Sequence, residues 1–328
     1  MTDSDLTPAS TRDYSEALRP AELPLARPAG GRGRHAGAPV QAAPPWQQDW
    51  PSLWRRGTAV LRRSPLATAG AAIIVVMAAF CFLGPLLYHT DTAHVFLTQA
   101  NFAPRAGHPL GTDGEGVDEL GRLMVGGRVS LEVGVIAGVL AAVLGSLWGA
   151  VAGYVGGAVD AVMMRIVDAG VSIPAIVLLL LLMSIYKPST GLLMFVIGAT
   201  SWLSTARLVR AEALTLRVRE YVQAVRVMGG GGLRVVLRHI APNAASTIAV
   251  NVTFQIANAI LVLATLSYLG LGVQFPSVDW GDMIAAAIQT ISSGFWWQIL
   301  CPGIAIVVVI AGFTMLGDGL SDRLSADD

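Results

Sequence analysis

The chain has 328 residues, of which 54% are aliphatic, aromatic or cysteine and only 13% are charged. A charged share about half that of a soluble domain excludes a water-soluble enzyme and makes lipid the solvent for most of the sequence. The 22 basic and 22 acidic residues cancel, which leaves no basic face for nucleic acid. Residues 1–50 hold seven Pro, five Arg and six acids without apolar periodicity, so 1–55 reads as a disordered tail. A basic collar of Arg55, Arg56, Arg62 and Arg63 precedes the first apolar run. That run lacks a small-residue cleavage site and is too long for a signal-peptide core, so it stays as an anchor.

Six stretches are long enough to cross a hydrocarbon layer, at about 20 residues each. They are Leu66 to Tyr88, Val133 to Val159, Val159 to Tyr186, Pro188 to Ala206, 245–269 and 298–318. The last two are bounded by the breakers Gly270, Gly272, Pro276 and Ser292-Ser293-Gly294. With the N-terminus inside, 18 of the 22 basic residues fall on the inner side and four outside, so the positive-inside rule puts both termini in the cytoplasm. Tyr88, Tyr186, Tyr268, Trp296 and Trp297 then sit at outer ends, as an interfacial belt does.

Small residues recur along the second span at Ala137, Ala141, Gly145, Gly149, Gly153 and Gly157. Such a stripe lets a neighbouring backbone approach; it is either a packing surface or the wall of a conduit. Arg165 and Asp168, three residues apart in the third span, are intramembrane charges that can pair with each other. Between the fourth and fifth spans, Leu208, Leu214, Val218, Val222 and Val225 alternate with Arg210, Arg217, Arg219 and Glu220 as an amphipathic helix. Gly229 to Gly232 interrupt it, and Leu233 to His239 forms a second short helix stopped by Pro242. This cytoplasmic helix-turn-helix serves either to dock a partner or to rest on anionic lipid. In the fifth span Asn251, Gln255, Asn258 and Thr265 share one face, which must line a cavity or bond to neighbouring helices. The 89–127 loop is acidic, with Asp91, Asp113, Glu115, Asp118 and Glu119, and either folds in contact with a partner or is a solvated loop.

The sole lysine, Lys187, lies between Tyr186 and Pro188, so there is no phosphate-binding Gly-Lys-Ser/Thr loop; any ATP is bound by another subunit. Cys81, Cys301 and the five His show no metal-ligand spacing, and the cysteines read as packed thiols.

The run from Glu220 to Gly229, followed after nine residues by His239-Ile240-Ala241-Pro242-Asn243, resembles the EAA loop of ABC importer permeases of the dipeptide/oligopeptide/nickel group. His108 to Asp113, Ala152 to Gly157 with Asp160, Arg165 and Asp168, Ala206 to Arg210, Leu266 to Val273 with Trp280-Gly281, and Leu316 to Leu320 are similar to the same group. The resemblance covers about 58–324 and departs in three places. The triplet reads Gln223-Ala224-Val225, a quadruple Gly replaces a single one, and an insertion at Gly114 to Asp118 splits the outer motif.

The resemblance implies an all-α membrane protein of six transmembrane helices with a cytoplasmic coupling loop, like a type I ABC importer permease. In that reading 56–89 holds the first transmembrane helix, 90–127 the extracytoplasmic loop, and 128–324 the permease core with its coupling loop at 207–242. It implies ATPase coupling through Glu220, Gln223, Ala224, Gly229, Ile240 and Pro242; the polar face of Asn251, Gln255, Asn258 and Thr265 is the candidate translocation path. Implied partners are a second homologous permease, two ATPase domains that carry ATP and Mg, and an extracytoplasmic substrate-binding protein. The chain itself needs no cofactor or metal and performs no bond chemistry. The expected function is import of di- or oligopeptides, or of nickel or another small polar solute, across the cytoplasmic membrane by alternating access. A secondary carrier without an ATPase and a structural membrane scaffold are the alternatives.

Overall fold

The structure, a computed structural model, describes residues 64–92, 94–228, 241–274 and 276–326. The N-terminal tail, the basic collar, Gly229 to Gly232, the helix expected at 233–239 and Ile240 lie outside the described residues. Nine α-helices form among the described residues, with no β-strand. Five are long and apolar enough to cross a membrane, and a bent pair makes the sixth crossing if counted as one.

Helix α1 is Pro65–Leu87, started by the Ser64 hydroxyl, which accepts from the Ala67 amide at 3.3 Å, with Pro65 in the first turn where its missing N–H costs nothing. It lies along α9 (Trp297–Ala326) by fitting glycines against backbone. Gly70 meets the backbone of Gly312 and Leu316, and Gly319 meets that of Ala67.

Helix α2, Glu119–Val155, has 37 residues and is about 55 Å long at 1.5 Å per residue, well over a hydrocarbon thickness of about 30 Å. The span expected from Val133 thus begins nearly four turns earlier in the chain. Gly156, at φ +68°, closes α2, and Gly157, at φ +58°, opens α3 (Gly157–Ser172), so Gly157 drops out of the small-residue stripe. The rest of the stripe is a packing surface. Gly145 faces the Trp202 carbonyl, Gly149 the Ala206 carbonyl and Arg210 amide, and Gly153 the Arg210 carbonyl, all on α5 (Thr190–Leu216). On its other side α2 sets Gly134 and Gly138 against Ile260 and Ile256 of α7 (Ala241–Tyr268). Backbones this close leave no conduit along the stripe, and α2 is the centre of a welded α2, α5 and α7 bundle.

The third span departs from the single helix expected. Pro174 bars its predecessor from helical geometry, Ile173 is extended, and α4 (Ala175–Ile185) leaves α3 at 76°. The fourth runs ten residues past Ala206 to Leu216. Arg217 to Arg219 then break the expected amphipathic helix in two, and α6 (Glu220–Val227) follows. The core takes Val209, Ala213, Leu216 and Val222 from this stretch, whereas Leu208 and Val218 are exposed. Helix α8, Trp280–Ile288, fills the interval read only as breakers. Asp279 caps it by accepting from the Gly281 and Asp282 amides, and fully buried Trp280 donates its indole N–H to the Leu123 carbonyl at 2.9 Å.

Candidate transport and coupling sites

Three polar regions stand out on this frame, at the α6 end, in mid-bundle and at the opposite cap end. At the first, three residues separate α5 from α6, and Val222 of α6 is fully buried with Ala150 and Tyr154 of α2, Val209, Ala213 and Leu216 of α5 and Ala244 of α7. The short helix is therefore seated on the ends of all three welded helices. Its outward side presents Glu220, Gln223, Ala224, Val227 and Met228. Gln223 donates its amide to the Val218 carbonyl at 3.1 Å, bracing the turn between the helices. Pro242 falls in the first turn of α7, while Gly229 and Ile240 lie outside the described residues.

In mid-bundle, the four polar residues of α7 do not act as one stripe. Gln255 is buried and donates towards the Thr205 hydroxyl (2.7 Å), the Ser201 carbonyl (3.1 Å) and the Ser204 hydroxyl (3.2 Å). Asn251 accepts from Thr205 at 2.8 Å. These two hold α7 to α5, with fully buried Thr205 at the centre. Thr205 escaped the sequence reading because hydroxyl residues such as Thr200, Ser201 and Ser204 surround it and helix hydroxyls commonly bond back to their own backbone. Asn258 is exposed, and Thr265 turns its hydroxyl back to the Leu261 carbonyl of its own helix at 2.8 Å. Ser204, which accepts from the Gln255 bridge, is exposed like Asn258.

The charges of α3 pair across helices, which corrects the expected Arg165 and Asp168 pair. Asp168 binds Arg207 at 2.7 Å, and Asp160 takes the Arg210 guanidinium in a two-bonded fork at 2.5 and 2.6 Å. Arg165 points to the exposed side. Arg207 and Arg210, three apart on α5, form one face that meets the acids of α3, and a facing helix offers better geometry than a neighbour on the same one. Arg217 donates to the Gly153 carbonyl at 3.1 Å, and Trp148 and Trp202 stack edge to face at 5.1 Å.

At the cap end, the described part of the 89–127 segment is held by bonds within it and to Tyr88 and α9. Buried Thr112 accepts at its carbonyl from Trp297 (3.2 Å) and Gln298 (2.9 Å), while its hydroxyl accepts from the Phe102 amide and donates to the Gln99 carbonyl. Asp113 accepts from the amides of Glu115 and Val117, and Arg122 bridges Asp113 and Glu115. The insertion turns at Gly116, φ +77°, packed against the Phe96 carbonyl. Asp118 caps α2 and also meets Tyr88 (3.1 Å) and His108 (2.8 Å). Burial raises the Asp279 carboxyl, against the pull of the Ser267 hydroxyl and the two capping amides. Among the described residues no three His, Cys, Asp or Glu are placed to hold a metal, and both cysteines are free thiols.

Residues 145–327 match the model of the binding-protein-dependent transport system inner membrane component, and residues 52–104 that of the N-terminal transmembrane domain of oligopeptide transport permease C. The chain belongs to this permease family. It is 35% identical over 271 residues to the dipeptide transport system permease protein DppC of Bacillus subtilis, covering 83% of both chains. It is 38% identical over 280 residues to the oligopeptide transport system permease protein OppC of Escherichia coli K12, covering 84% of this chain and 92% of that one. With the OppC of Bacillus subtilis the identity is 35% over 273 residues, 83% of this chain and 89% of that one. The molecule is thus a non-enzymatic, integral inner-membrane permease of the ABC transporter class, the first of the three functional readings.

Proposed function

We propose that this chain is one of two permease subunits of an importer that moves di- or oligopeptides into the cytoplasm, powered by two ATPase domains that hold ATP and Mg. An extracytoplasmic binding protein delivers the peptide at the cap end, and α6 with Glu220, Gln223, Ala224, Gly229, Ile240 and Pro242 seats in the ATPase at the other. The observation that carries this reading is the burial of Val222 in a core shared with α2, α5 and α7, which makes α6 a rigid extension of the bundle able to transmit a push. The concentration of Arg in the segments at the α6 end, against Arg105, Arg122 and Arg128 at the cap end, supports cytoplasmic termini. Peptide as substrate is supported by the similarity to the named dipeptide and oligopeptide permeases. It is supported too by the exposed Asn258 and Ser204, groups that can donate to and accept from a peptide backbone.

The test is reconstitution of the chain with its second permease, ATPase subunits and binding protein in proteoliposomes. ATP-dependent accumulation of a labelled tripeptide is the expected result. Accumulation of nickel ion with no peptide uptake overturns the substrate, and uptake that needs no ATPase overturns the class.

A further inference from the structure

Helix α3 is joined to the rest of the molecule unlike any other helix. At its start Gly156 and Gly157 both have positive φ, a backbone that few residues other than glycine adopt, and a side chain at Gly157 would meet nothing within 4 Å. At its end Pro174 removes a helical hydrogen bond and the chain turns by 76°. Between these two breaks, Val167 is the one residue of α3 that is buried, while Val159, Val162, Ile166 and Val171 are exposed. What holds α3 to α5 is polar and directional: the Asp160 and Arg210 fork and the Asp168 and Arg207 pair. A 3.3 Å bond from the Trp148 indole of α2 to the Met163 carbonyl and the contact of Leu203 of α5 with Gly170 add to these.

The two arginines sit on the last three turns of the helix that leads into α6. Arg210 and Arg207 are seven and ten residues before Arg217, about 10 and 15 Å along an unbroken rod. Between α5 and α6 stands only the turn at 217–219, which the Gln223 amide braces on the Val218 carbonyl and buried Val222 ties to α5, so displacement of α6 reaches these guanidinium groups through that packed turn. Hydrophobic packing tolerates sliding; a forked ion pair has one good geometry, so it either carries the displacement or opens.

We propose that Asp160, Asp168, Arg207 and Arg210 form a charge latch that couples movement of α5 to a swing of α3 about its glycine and proline breaks, making these four the positioning residues that tie ATP hydrolysis to opening of the path. The latch rests on the importer reading above and adds the element that moves. It also explains the placement of two arginines and two acids at the edge of an apolar bundle, where fold alone is served as well by apolar contacts.

The experiment uses the complete reconstituted complex, with wild-type peptide uptake measured first as the separate test of the importer reading. Given wild-type uptake, Asp160→Asn and Arg210→Gln are each expected to lower peptide turnover about tenfold or more, the scale of breaking a partly buried pair. KM for the loaded binding protein and the ATPase rate should stay within about twofold, the signature of uncoupling. The exchange of both residues, Asp160→Arg with Arg210→Asp, should regain a large part of the lost turnover. Wild-type turnover in well-inserted single variants overturns the latch. So does a loss of insertion, ATPase and uptake together that the exchange fails to repair, since that is a structural staple. Asp168→Asn, at the more exposed pair, provides a second and milder reading of the same split.

Discussion

Helices α2 and α3 adjoin in sequence and are built on opposite principles. Glycines in α2 press its backbone against α5 on one side and α7 on the other, with Gly149 touching the Ala206 carbonyl itself. Helix α3 buries only Val167 and holds to α5 by two ion pairs between two chain breaks. Dense contact that has no second arrangement gives a rigid frame, and a few directional bonds beside permissive hinges give an arm. In the proposed importer the frame would carry the push from α6, with the arm as the part that answers it.

Bulk placed in the weld should do the most damage. Gly149→Leu drives a side chain into the α5 backbone and should cost about 3 kcal/mol, read as a large fall in Tm in detergent. Next, Gln255→Leu leaves the Thr205 hydroxyl and Ser201 carbonyl without their donor and should cost about 1–2 kcal/mol on the same assay. Gly157→Ala probes the arm. No atom stands in the way, so only the left-handed backbone is penalised, at about 1 kcal/mol, and transport should suffer more than Tm does. Asp168→Asn removes a pair that is half exposed on both sides, 51% and 47%, and should shift Tm by no more than about 1 kcal/mol equivalent, with the difference shrinking in high salt. A Tm loss for Gly157→Ala equal to that of Gly149→Leu would erase the distinction between frame and arm.

Much of the frame was legible in the sequence because lipid imposes a strict code. Uncharged runs of sufficient length marked the crossings, and the stripe Ala137 to Gly153 marked the close helix contact. The ends were harder. Apolar periodicity cannot see that α2 starts at Glu119, whose turn is set by the Asp118 cap, or that α5 runs through the arginines to Leu216. Pro174 was a readable breaker, lost within the apolar run that surrounds it. Helix α8 was hidden because Gly and Pro flank it, although Asp279 followed by Trp280-Gly281 is a legitimate cap. For the site, residue types were readable and partners were not. Asn251, Gln255 and Asp168 stood out as polar groups in apolar surroundings, while Asp160, Arg207 and Arg210 lay in segments marked by the family resemblance. Their pairings span 39 to 54 residues, and one sequence carries no record of such contacts.

The most direct test compares two distances in the assembled importer. Spin labels at exposed Val143 of α2 and Val162 of α3 report on the arm, and labels at Val143 and Leu208 of α5 report on the frame. In a Cys81- and Cys301-free background, with pulsed dipolar spectroscopy before and after ATP trapping, the first distance should shift by several ångströms and the second should hold. Equal movement of both pairs, or a fixed first distance in every state, would contradict the account.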